Sequence, residues 1–89
     1  MNRHEAYKLL SETLKGYQKL PFSELESLVG CSRSERARSQ SGEEFLLVVS
    51  VEWSDEPAKR LRIAASADSP STFRMERLEE HVFVSGAAD

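Results

Sequence analysis

The chain has 89 residues, 39% hydrophobic and 30% charged, with a formal net charge of -3. That balance excludes a disordered tail and sets the scale of one small domain, which buries roughly 60–65% of the surface its unfolded form exposes. The acidic balance gives no long-range pull toward nucleic acid or anionic lipid, and the longest apolar run, Phe45–Val49, is far too short to span a bilayer.

The N-terminus is polar and carries no apolar leader segment. Cys31 is the single cysteine, so no internal disulfide forms, and a lone thiol fits a reducing compartment. The expected location is the cytoplasm.

Asn2 followed by Glu5 has the spacing of a capping box, and Ala6, Leu10, Leu14 and Tyr17 then fall at i, i+4, i+8 and i+11 on one helical face. A helix is expected over about 3–19, stopped by Pro21, which disfavours the α conformation at Leu20. Ser23 and Glu26 form a second S-x-x-E box, with Phe22 as staple and Leu25, Leu28 and Val29 as stripe. This predicts a short helix over 23–29, ended by Gly30 in the left-handed conformation.

Residues 31–42 are polar, and Ser41-Gly42 is a turn signal directly before the most apolar segment. A hairpin there makes 34–39 a charged edge strand; the competing reading is a flexible linker. Residues 43–53 read as the central strand, rich in β-branched and aromatic residues. Phe45, Leu47, Val49, Val51 and Trp53 share one face, and Glu44, Leu46, Val48, Ser50 and Glu52 the other. Pro57 lies in the following loop. Residues 60–67 alternate again, with Leu61, Ile63, Ala65 and Ala67 inward. Asp68-Ser69-Pro70-Ser71 reads as a turn, 72–77 as a strand with Phe73 and Met75 on one face, Glu79-Glu80 as a turn or bulge, and 81–84 as a last short strand.

Two helices followed by strands with short connections define an α+β domain, because a parallel sheet needs crossover helices for which there is no length. The expected architecture is two N-terminal helices packed on an antiparallel sheet of about four strands in meander order. The expected core is Leu10, Leu14, Tyr17, Phe22, Leu25, Leu28, Phe45, Leu47, Val49, Val51, Leu61, Ile63, Ala65, Phe73 and Met75.

Short segments carry a resemblance. Leu20-Pro21-Phe22-Ser23-Glu24-Leu25, Gly42, Trp53-Ser54-Asp55, Leu61-Arg62-Ile63, Phe73-Arg74-Met75 and His81-Val82-Phe83-Val84 follow one another in order. Together they resemble a widespread family of small uncharacterised bacterial proteins with the succession LPY-x-EL, a β-hairpin, V-x-W-D-D, LRV-x-GSIDDG, R-x-F-x-PL and FI. The family's acidic turn is reduced here to Ala67-Asp68-Ser69-Pro70, and its PL element to Arg77-Leu78. The resemblance implies a helix-then-meander fold and a hairpin before residue 43, and it implies no activity.

Chemical motifs are sparse. His4, Cys31, Asp55, Glu56, Asp68 and His81 show no ligand spacing such as C-x-x-C, so no metal or cofactor is expected. Cys31 follows a helix end rather than opening a helix, which leaves its thiol unactivated. Glu43-Glu44, Asp55-Glu56 and Glu79-Glu80 are adjacent carboxylates of the kind found in solvated turns, and a thin two-layer domain has little volume for the dry pocket that acid–base work needs. No glycine-rich phosphate loop occurs. The chain is therefore not expected to be an enzyme.

Leu46 and Val48 stand where a fully solvated strand face would be polar, and Trp53 ends the same strand. They are the expected anchors of a protein interface, to which Phe83 adds, with a protein partner or a second copy as occupant. The competing function is a nucleic-acid accessory role for Arg33, Arg36, Arg38 and Arg62, set against interleaved glutamates and the lack of stacking aromatics.

Overall fold

The computed structural model describes residues 3–39, 42–70 and 75–86, with backbone alone at Pro70, Met75 and Glu76. The described elements are α1 (Arg3–Gln18), α2 (Phe22–Ser27), β1 (Ser32–Arg38), β2 (Glu44–Asp55), β3 (Arg60–Pro70) and β4 (Met75–Ser85). The strands form one antiparallel sheet in the order β1-β2-β3-β4, so the fold is α+β with a simple meander. Among the described residues, no helix is long and apolar enough to cross a membrane.

The helical stripe does what its spacing demands. Ala6, Leu10 and Leu14 are completely or almost completely buried against the inner face of the sheet, with Leu9 and Tyr17 partly buried beside them. That face is Phe45, Leu47, Val49 and Val51 from β2 and Leu61, Ile63, Ala65 and Ala67 from β3. The small side chains Ala65 and Ala67 leave room for α1 to approach the strands closely. Leu25 of α2 completes the core, while Phe22 and Leu28 are half-buried.

The second helix begins earlier than its S-x-x-E box implies. Glu24 N–H and Leu25 N–H both donate to Pro21 O, at 3.0 and 3.2 Å, so Pro21 is the cap residue and Ser23 already lies inside the helix. The helix is six residues long and ends at Ser27, with Leu28 as its C-cap. Gly30 follows at φ +85°, the left-handed conformation expected of it, and its N–H donates to Val51 O at 3.0 Å. The β1–β2 hairpin is present, and β1 starts two residues earlier than expected, at Ser32. Gly42 supplies its positive φ of +92°, and Ser39 N–H closes the hairpin on Glu43 O.

The C-terminal half differs most from expectation. Asp68, Ser69 and Pro70 are not a turn; they continue β3, in register with Arg77, Glu76 and Met75. The ladder extends because Asp68 and Arg77 face each other and pair, and because Pro at a strand end gives up no needed hydrogen bond. Residues 71–74, Phe73 among them, lie outside the described residues, as does the side chain of Met75. Glu79-Glu80 is neither turn nor bulge. Residues 75–85 are one uninterrupted strand, paired to β3 without a register shift. Leu78, Glu80, Val82 and Val84 face the helices, and Arg77, Glu79, His81 and Phe83 face away. Glu80 fits on the helix side because β4 is a margin strand, where a side chain reaches solvent over the sheet edge.

Ile63 is fully buried at the sheet centre. Ile63→Asp places a charge there without a partner, and circular dichroism on heating should show no cooperative melt. Gly86 supplies a second check. A Cβ built at Gly86 falls 2.5 Å from the Phe22 ring, which itself lies 6.3 Å centroid-to-centroid from Trp53. Gly86→Ala should push Phe22 aside, cost about 1–3 kcal/mol in urea titration and shift the emission of Trp53, the chain's one tryptophan, to longer wavelength.

Candidate binding face

Among the described residues, one face of the sheet has the helices and the other has none. The second face is set by strand alternation. From the middle of the sheet it carries Leu46, Val48, Ser50 and Glu52 of β2 beside Asp68, Ser66, Ala64 and Arg62 of β3. Ser34, Arg36 and Arg38 extend it on β1, and Arg77, Glu79, His81 and Phe83 extend it on β4.

Its surface is mixed rather than uniformly polar. Leu46 and Phe83 are 38% and 52% exposed, and Val48 is half-buried. Phe83 packs edge-on to His81, with centroids 5.4 Å apart. Between these apolar side chains the small residues Ser50, Ala64 and Ser66 floor a shallow depression of about 200 Å³. The depression opens widely to solvent and is too shallow to exclude water from a small ligand.

Ion pairs frame the face. Arg38 Nη2 donates to Glu44 Oε1 at 3.3 Å, and Arg62 Nη2 to Glu52 Oε2 at 3.0 Å. All four side chains are about half exposed or more, so each pair contributes little to stability. The Asp68–Arg77 pair is different. Arg77 reaches Asp68 with two nitrogens, Nε at 2.7 Å and Nη2 at 3.3 Å, in the forked geometry that makes arginine–carboxylate pairs strong. The Asp68 side chain is only 10% exposed because the guanidinium lies over it. The hydrogen bond and charge of Asp68 raise the Arg77 pKa above its ordinary value, so the cation persists at any pH the fold tolerates.

The arginines expected to form a basic strip do not. Arg33 points to the helix side with Glu35, in register with Val49 and Leu47. Arg38 and Arg62 lie on the open face and are engaged by glutamates. Arg36 has no ion-pair partner among the described residues; it stands directly across from Leu46. The expected anchors also divide. Leu46 and Val48 lie together on the open face, whereas Trp53 lies on the helix side against Phe22. Phe83 lies on the same face as Leu46 and Val48 but level with Arg62 and Glu52, toward the other end of the strands. The signal for it was the alternation Arg77, Glu79, His81, Phe83, which becomes legible once the strand is seen as continuous.

Among the described residues no three His, Cys, Asp or Glu side chains gather as a metal would require, and no histidine hydrogen bonds to a serine or cysteine. Cys31 is exposed.

The shielding of Asp68 predicts unequal losses. Arg77→Met strands a carboxylate that is nearly removed from solvent, whereas Arg62→Met releases Glu52 to water. The urea midpoint should fall clearly for Arg77→Met and stay near wild type for Arg62→Met.

Comparison of the chain with protein-family models, with curated proteins and with solved structures found no match.

Proposed function

We propose that this chain is a non-catalytic binding module that docks a protein segment on its open sheet face. The observation that carries the reading is the neighbouring pair Leu46 and Val48, exposed and half-buried on a sheet surface over which no helix of the described residues lies, with exposed Phe83 farther along the same face. Exposed apolar side chains set among polar ones mark contact surfaces, and burying one such side chain contributes about 1.5–3 kcal/mol. The pairing of Arg38 with Glu44 and of Arg62 with Glu52 supports the same reading, since it removes the basic strip a nucleic-acid ligand would need.

The chemistry of the face specifies the segment. Leu46 and Val48 ask for apolar side chains, and Arg36, unengaged among the described residues beside Leu46, asks for a carboxylate one strand spacing away. The occupant is an extended or helical protein segment with an apolar stripe and an acidic residue at its margin.

The test is capture of partners by the tagged protein from lysate of its own source, repeated with surface variants. A partner retained by wild type and by Arg62→Glu, but lost with Leu46→Ser/Val48→Ser and with Arg36→Glu, supports the reading. Retention by Leu46→Ser/Val48→Ser, in protein that melts as wild type does, refutes it. Loss on nuclease treatment places the binding on nucleic acid instead.

A further inference from the structure

We propose that β4 is a self-pairing edge, and that two copies join there, antiparallel about a two-fold axis, into one eight-stranded sheet. The inference concerns the rim of the sheet and is independent of what docks on its open face.

The two rims of the sheet are built differently. β1 is seven residues long and reads Ser-Arg-Ser-Glu-Arg-Ala-Arg, a short charged edge of the kind that discourages pairing. β4 is eleven residues long, runs without a bulge and carries the apolar run Val82-Phe83-Val84. Among the described residues no strand lies beyond it. The core is also unfinished on that side. Leu61, Ile63, Ala65 and Ala67 of β3 are buried to 2% exposure or less, yet Leu78, Val82 and Val84, their neighbours across the ladder, are only half-buried. Beside them runs a groove between α1 and the β4 rim, lined by Tyr7, Leu14, Lys15, Glu80 and Val82. Tyr7 is 47% exposed there.

The occupant follows from charge. Two antiparallel copies of β4 pair over their full length when the axis passes through Glu80, the middle of Met75–Ser85. In that register residues whose numbers sum to 160 stand opposite each other. On the open face Glu79 then meets the partner copy's His81, and Arg77 meets its Phe83, each twice by symmetry. On the helix side Leu78 meets Val82, also twice. A carboxylate facing an imidazole N–H, a cation over a ring and apolar pairs are combinations that stabilise adjacent strands. Two positions are less favourable, Glu76 opposite Val84 and Glu80 opposite its own copy; Lys15, which lines the groove beside Glu80, lies on the side from which that charge can be neutralised. Full pairing adds roughly ten backbone hydrogen bonds to a row that otherwise faces water. A single self-complementary edge closes as a dimer and cannot propagate.

Sedimentation of the wild-type protein in reducing buffer, over a wide concentration range, should show a monomer–dimer equilibrium. His81→Glu sets like charges opposite Glu79 twice and should weaken the dimer at least about threefold, while Glu80→Gln removes the adverse contact and should tighten it about twofold to fivefold. Location is read by oxidation in a Cys31→Ser background. Glu80→Cys should give a covalent dimer, since residues on the axis bring their Cα atoms within disulfide range, and Leu46→Cys on the open face should not. A protein monomeric at every concentration overturns the proposal. So does a dimer that cross-links through Leu46→Cys and not through Glu80→Cys.

Discussion

Everything in this small domain depends on one contact, the stripe Ala6, Leu10 and Leu14 of α1 against the inner face of the sheet, where α1 runs over β3 and β4. An α-helix with its side chains is about 10–12 Å wide, whereas four strands at about 4.8 Å spacing extend further than that. One long helix therefore cannot cover the whole inner face of the sheet. The burial pattern follows this geometry. The residues that are fully removed from solvent come from β2, β3 and the helices, while the inward side chains of β4 and β1 stay partly exposed. With the helices spent on one side, the other face has no cover from the described residues.

That open face stays compatible with water through local pairing rather than through uniform polarity. Arg38 with Glu44 and Arg62 with Glu52 cancel charge across neighbouring strands and hold long side chains along the sheet. Such exposed pairs add little stability. Their effect is on recognition, because they leave Arg36, Leu46, Val48 and Phe83 as the groups still able to gain from a contact. Asp68 and Arg77 have another task. They lock the last turns of the β3–β4 ladder, and the near-burial of Asp68 makes its partner indispensable to that end of the sheet.

The two unfinished surfaces follow from a small supply of apolar side chains. A two-layer domain of this length has enough apolar material for one buried interface. Association needs only the surfaces that a single helix cannot cover, an open face and a long rim.

The local pattern of the chain determined much of this. Spacing of i, i+4 and i+8 specified the buried face of α1, and strict alternation over 44–53 and 60–67 specified which side chains of β2 and β3 meet it, because both periodicities are properties of the backbone itself. Gly30 and Gly42 marked the two places where the chain needs a positive φ. Tertiary structure decided the rest. Asp68-Ser69-Pro70 has turn composition and became strand, since a facing Arg77 and a continuing ladder outweigh local preference. Glu79-Glu80 looked like an interruption and was not one, since a margin strand lets a glutamate on its inner face reach water. Leu46 and Val48 could be placed on one face from alternation alone, but their company could not. Which residues of β4 share their face, and which arginines are engaged, depends on cross-strand neighbours far apart in sequence, and that register exists only once the four strands have paired.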